Sequence, residues 1–188
     1  TEGIRVDDAE VIIAGCTVEA ADWSAVHAGE GAVVEIRASA LIGDNETDEG
    51  LRLTGGAAVL LEDTQIVGMG AEAALVEEGE LIARRLEVVG TGADAILVEQ
   101  GSILRLADSH ITDAGQHGVA MEGPAGHVAI ERTVIDHSAG HGLLIGGSAE
   151  VVASVISDSG NIGVKLMGGA GGALFLFSYG ALRFRAAF

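Results

Sequence analysis

The amino-acid sequence predicts an all-β protein: a right-handed single-stranded parallel β-helix, a solenoid of about seven coils with three short strands in each. Three observations predict it: a repeat of 21–25 residues, short apolar pairs inside each repeat, and one column of small or hydroxyl-bearing residues. Coils start at Gly3, Ala25, Gly50, Ala73, Ala95, Gly118, Gly142 and Gly163, so the spacings are 22, 25, 23, 22, 23, 24 and 21. Self-similarity at such a period marks a solenoid. It is visible by eye in "DAILVEQGS" (94–102) beside "EAALVEEGE" (72–80), and in "GQHGVAMEG" (115–123) beside "AGHGLLIGG" (139–147).

Each coil opens with a short apolar strand, such as Ile4/Val6, Leu51/Leu53 or Val119/Met121. A turn follows, and then a second apolar pair, such as Val11/Ile13, Val59/Leu61, Leu104/Leu106 or Val128/Ile130. The third strand ends on Val18, Leu41, Ile66, Val88, Ile111, Ile135 and Ile156. Alternation within a strand turns one face inward. No helical period occurs, and no connection is long enough to hold a helix. A leucine-rich repeat has a similar period but needs a fixed asparagine column, which this sequence lacks.

Two residues before the last apolar position stand Cys16, Ser39, Thr64, Leu86, Ser109, Thr133 and Ser154. All but Leu86 are small or carry a hydroxyl, as expected of side chains stacked on their equivalents in the next coil. Just before them come Asp63, Arg85, Asp108 and Arg132 in four successive coils, and one residue earlier Arg37, Glu62 and Arg84. Coils stack at the ordinary strand spacing of about 4.8 Å. Opposite charges therefore alternate up the outside, and a slip of register would bring like charges together.

Composition excludes several classes. Glycine is abundant at 29 residues without a Gly-X-Y period, and 48% hydrophobic residues are too many for a disordered chain. The 28 acidic residues outnumber 10 basic ones, for a formal charge of −18, which repels nucleic-acid phosphates and anionic lipid. Neither nucleic acid nor a membrane span is expected, since no apolar run reaches the roughly 20 residues a span requires. Cys16 is the only cysteine, so no intrachain disulfide forms. The chain opens at Thr1 without a signal-like segment and reads as a processed chain or a fragment.

Residues 1–169 are expected to form the solenoid. Residues 170–188 differ in character: five of the six aromatics (Phe175, Phe177, Tyr179, Phe184, Phe188) lie there, with two arginines and no acid. This segment is expected to cap the open end; the alternatives are a strand that pairs with another chain and a tail foreign to the repeat.

The segment "GHGLLIGG" (140–147) resembles the Gly-His-Gly motif of polygalacturonases, and the repeats over residues 3–169 resemble pectin-lyase-like β-helices. The first resemblance implies acid-assisted hydrolysis in a cleft along the turns of residues 94–165, with His141 matching the motif histidine and Asp94 the first aspartate. The family's Asp-Asp pair falls on Gln116 and His117, and its Arg-x-Lys on Lys165-Leu166-Met167. Candidate catalytic residues are thus Asp94, His141 and Lys165, in a set that lacks the paired acids of glycoside chemistry. The lyases of the wider family imply calcium-binding carboxylates around an arginine base, and here the arginines sit in charge ladders.

The residues before successive coil starts run Glu49, Glu72, Asp94, His117, His141, with Asp113, His137 and Asp158 as a second column. Imidazole is a common transition-metal ligand, so Asp94, His117, His141 and His137 are the metal candidates, and a divalent metal is the one cofactor considered. The competing account is polar turn residues stacked by repetition. His27, His110 and His127 fall in no column and are assigned to the surface. The acidic insertion "GDNETDE" (43–49) reads as a solvated bulge.

The function expected is a non-catalytic module of a secreted or cell-surface protein, acting as a rigid scaffold or a binding and self-association surface. Its expected partner is a polysaccharide or another copy of the chain. The competing expectation is a polysaccharide-active hydrolase or lyase.

Overall fold

A computed structural model describes residues 3–19, 23–44, 49–99, 101–167 and the backbone of 173–176. The chain winds through three strands per coil. The first coil is β1 (Ile4–Val6), β2 (Glu10–Ala14) and β3 (Thr17–Glu19); the second is β4 (Ser24–Ala28), β5 (Val33–Arg37) and β6 (Ala40–Ile42). Next come β7 (Glu49–Leu53), β8 (Ala57–Glu62) and β9 (Gln65–Met69), then β10 (Ala74–Val76), β11 (Gly79–Arg84) and β12 (Glu87–Thr91). The fifth coil holds β13 (Ile96–Val98), β14 (Ile103–Ala107) and β15 (His110–Ala114), and the sixth β16 (Val119–Met121), β17 (His127–Glu131) and β18 (Val134–Asp136). The seventh is β19 (Leu143–Ile145), β20 (Ser148–Val152) and β21 (Val155–Ile156), after which β22 (Val164–Leu166) and β23 (Ala173–Leu176) begin an eighth.

Every third strand pairs in parallel, which yields three sheets of eight, eight and seven strands, here sheets A, B and C. The coil starts read from sequence fall at or just before the sheet A strands, and the small-residue column just before sheet C. The boundary expected at 169 lies among residues outside the description. Beyond it the backbone of β23 joins sheet B against β20, and residues 177–188 also lie outside the described residues.

Aliphatic columns fill the interior. On sheet C, Leu41, Ile66, Val88, Ile111 and Ile135 are fully buried, with Val18 and Ile156 at the ends slightly open. Each such side chain, removed from water, contributes about 1.5–3 kcal/mol. At the coil starts the interior tolerates almost no side chain. A Cβ on Gly142 would lie 2.7 Å from the Gly163 carbonyl oxygen and overlap Ile156 Cγ2, and Gly118 meets the same obstacle in Ile135 and Gly142.

Between sheets B and C the backbone bends through one residue in the left-handed region. That residue is Gly15 (φ 63°), Ala38 (45°), Asp63 (50°), Arg85 (50°), Asp108 (52°), Arg132 (47°) or Ala153 (51°). The bend turns the next N–H away from the carbonyl it would meet in a straight ladder, and the hydroxyl column collects it. Ser39 Oγ accepts from the Cys16 N–H (3.2 Å), Ser109 Oγ from Leu86 (3.1 Å), Thr133 Oγ1 from Ser109 (3.3 Å) and Ser154 Oγ from Thr133 (3.1 Å). Each hydroxyl in turn donates to the carbonyl two residues before it, as Ser109 does to Ala107 at 2.7 Å. The stacked hydroxyls thus form an inter-coil ladder from Leu86 to Ser154 and another between Cys16 and Ser39, while Thr64 Oγ1 instead donates to the Ile36 carbonyl of the coil before it (3.2 Å).

The bend residues point their side chains outward. Arg85 bonds Asp63 (2.5 Å) and Glu62 (2.7 Å) in the coil before it, and Arg132 bonds Asp108 (2.6 Å). The guanidinium beside each aspartate holds both the Asp63 and Asp108 carboxyls below the usual range. Arg85 lies between Asp63 and Asp108 in the stack; it bonds Asp63, and its charge reaches Asp108 at longer range.

Removing Ser109 Oγ leaves the buried Leu86 N–H without its acceptor, so Ser109→Ala is expected to cost about 1–3 kcal/mol in denaturant unfolding. Arg85→Glu sets three carboxylates together on two coils. It is expected to lower Tm at low salt, with the deficit shrinking as salt screens the repulsion; a deficit independent of salt would contradict this origin.

Candidate functional site

The outer face of sheet A is the most sheltered exterior surface among the described strands. Its outward column runs Arg5, His27, Arg52, Leu75, Leu97, Ala120, Leu144, Lys165 in register. Leu75 is 8% exposed and Ala120 1%, yet neither belongs to the interior core cluster. These aliphatic side chains form an outward-facing strip bounded by the turns at either end of the sheet A strands. One rim is the residue after each sheet A strand, where Glu77, Glu99 and Glu122 follow one another over three coils. Arg52 binds Glu77 through two hydrogen bonds (2.9 and 2.8 Å) and Glu49 at 3.3 Å. Burial, followed by the charges of Glu77 and Glu122, raises the Glu99 carboxyl. This rim was legible as an acid after each apolar pair, and the sequence reading missed it.

The other rim is the turn that holds Asp94, His117 and His141. Each of these side chains accepts the backbone N–H of its equivalent in the next coil. Asp94 Oδ1 takes the His117 N–H (2.8 Å), His117 Nδ1 takes that of His141 (2.9 Å), and His141 Nδ1 lies 3.2 Å from both N and O of Ile162. An Nδ1 that accepts is unprotonated, so the proton of a neutral His117 sits on Nε2. The two imidazoles stack with centroids 5.0 Å apart and planes inclined by 19°.

The glycines around His141 serve this ladder. A Cβ on Gly140 would come 2.6 Å from His117 Nδ1 and 2.7 Å from the Gln116 carbonyl oxygen. Gly140 thus leaves room for the neighbouring imidazole, and Gly142 for the interior packing of Ile156. The "GHG" triplet follows from those two close approaches.

Burial raises the Asp94 carboxyl above its ordinary value; the His117 N–H opposes this, and the Glu122 charge adds to it. Burial likewise lowers the His141 imidazole; the Ile162 backbone opposes this, and the nearby charges of His117 and Lys165 add to it. Lys165 is exposed on the outward column of β22, one coil beyond His141. Asp94 and His141 belong to turns two coils apart, with His117 between them.

The fourth metal candidate, His137, stands in the second column, at another left-handed bend shared by Gly68, Gly90, Asp113 and Asp158. Gly, Asp and His are residue types that such a bend favours, and this explains the column. Its Nδ1 faces Asp136 Oδ1 at 3.1 Å, and His110 Nε2 faces Asp136 Oδ2 at 3.3 Å. Burial would raise the Asp136 carboxyl, but bonds from Thr112, His137 and His110 outweigh it and hold it low; the same Asp136 raises His137. The Nδ1 atoms of His117 and His141 are already engaged with backbone. Among the described residues, no three His, Cys, Asp or Glu side chains form a group that could hold a metal ion.

The histidines left out of every column belong to columns after all. His27, 9% exposed, bonds Thr54 Oγ1 at 3.1 Å, and His127 Nδ1 lies 2.8 Å from Ser148 Oγ in the next coil. Columns with mixed residue types hide from a reading that looks for one type.

The family described as "Right handed beta helix region" matches residues 2–176, nearly the whole solenoid. The chain belongs to this right-handed β-helix family. No curated protein and no solved structure matches the chain. The family match together with the three stacked parallel sheets establishes the fold and the repeat.

The raised Asp94 carboxyl carries a sign that can be tested. A folded value above the ordinary 3.8 means that ionisation opposes folding. The stabilising contribution is complete below that ordinary value and is lost as pH rises through the folded one. Asp94→Asn keeps an acceptor for the His117 N–H and never ionises. It is expected to match or exceed the parent protein in Tm at pH 7, with the advantage vanishing in acid.

Proposed function

We propose that this chain is a non-catalytic β-helix module of a secreted or cell-surface protein, a rigid scaffold that presents the sheet A strip as a binding surface. One observation carries the reading. The groups that would perform hydrolysis, Asp94 and His141, each commit one polar atom, Oδ1 and Nδ1, to the backbone of the next coil and are 8% and 5% exposed. A general acid must reach the leaving oxygen of its substrate, and burial together with these backbone bonds limits that reach. The strip is aliphatic and one rim acidic, so the ligand it suits is neutral or cationic on the face it offers. A polysaccharide chain or a second copy of this protein are the partners considered. Placement outside the cell rests on the resemblance to pectin-lyase-like proteins.

A second reading, a polysaccharide hydrolase or lyase with its cleft along residues 94–165, draws on the raised carboxyls of Asp94 and Glu99 on the two rims. Incubation with pectin, alginate and related polymers separates the two. No reducing-sugar release and no absorbance from unsaturated products are expected. Turnover that disappears in His141→Ala would replace the first reading with the second.

A further inference from the structure

We propose that the Asp94–His117–His141 ladder is an acid-labile joint. Protonating its stacked imidazoles removes the acceptors of the His141 and Ile162 amides and loosens the seventh and eighth coils from the sixth, while the earlier coils stay closed.

The geometry sets the requirement. The His141 N–H points at His117 Nδ1 from 2.9 Å, and the Ile162 N–H at His141 Nδ1 from 3.2 Å. An imidazolium has two donors and no acceptor. Protonated at Nδ1, His117 sets donor against donor. His141 has one escape, since the Ile162 carbonyl oxygen also lies 3.2 Å from its Nδ1. A cation there turns to that oxygen and abandons the amide. Two imidazoliums with centroids 5.0 Å apart also repel.

The charged neighbours give the joint its position along the solenoid. Lys165 faces His141 from the next coil and adds to the repulsion. Asp94 faces His117 from the coil before, with Glu122 near Asp94. A carboxyl accepts through an oxygen whether ionised or protonated, so the Asp94 rung survives acid and the joint opens beyond it. His137 lies in the same turn, four residues before His141, and responds oppositely. Its imidazole faces Asp136, with Asp113 and Asp158 on the neighbouring coils, and His110 faces Asp136 from below. Acid therefore tightens that side of the turn as it loosens the other, which confines the opening to the rim beside the strip.

Amide hydrogen exchange on the whole chain tests this, with protection factors corrected for intrinsic exchange at about pH 7.5 and pH 5. Protection at His141 and Ile162 is expected to fall by about tenfold or more in acid, while that at His117, bonded to Asp94, holds. His117→Asn and His141→Asn keep a non-titrating acceptor and should abolish the fall. Equal protection at both pH values, or a fall retained in both variants, overturns the proposal. Should a variant not fold, imidazole nitrogen shifts of the parent chain decide: rings that protonate below neutrality without any change in those two amides also overturn it.

Discussion

One backbone bend governs this molecule. In each of the seven described coils a residue between sheets B and C adopts φ between 45° and 63°. A left-handed conformation costs a non-glycine residue roughly 1–2 kcal/mol, and the fold accepts that cost six times. In exchange, a flat turn becomes the corner of a closed coil, and at four corners the N–H that the corner displaces is caught by the next coil's hydroxyl. Register follows from this arrangement, because a hydroxyl shifted by one position would face the interior or the solvent and leave a buried N–H unbonded.

The same corner decides what the outside looks like. A left-handed residue presents its side chain to water, so any residue that tolerates the bend fits. Here the sequence places Asp and Arg in alternation, and neighbouring coils meet as ion pairs. The turn that leads back to sheet A works by the same logic with different chemistry. There the acceptors for the next coil are a carboxylate and two imidazoles instead of hydroxyls. Groups that resemble a catalytic constellation in a linear reading are, in space, the acceptors that join one coil to the next.

Most of the fold was legible because translation along a solenoid turns sequence period into spatial contact. Val18, Leu41 and Ile66 are equivalent by counting, and counting places them on top of one another. The hydroxyl column was visible for the same reason. What stayed hidden was anything decided by direction. Nothing in the letters says that His117 offers Nδ1 to a backbone amide, that Gly140 exists to make room for that ring, or that Asp136 gathers imidazoles from two coils. Leu75 and Ala120 looked like members of an apolar strand, and only the pairing register and their absence from the interior cluster reveal that they face outward. Asp63 and Arg85 were recognised as a charge ladder, but the left-handed backbone beneath them has no letter of its own when the residue is not glycine.

Leu86 has a consequence at the scale of the whole rod. It occupies a position where five of the other six residues carry a hydroxyl, and as a hydrocarbon it cannot accept the Thr64 amide of the coil before. At that junction Arg85 reaches back to Asp63 and Glu62 on the exterior. The third and fourth coils are thus clamped at this corner by charge on the outside, where the fourth and fifth are joined by the Ser109 hydroxyl on the inside. A rod built this way is not uniformly stiff. Under tension or torsion this corner has a strength that depends on the ionic medium around it, while the three strand ladders run on across the junction.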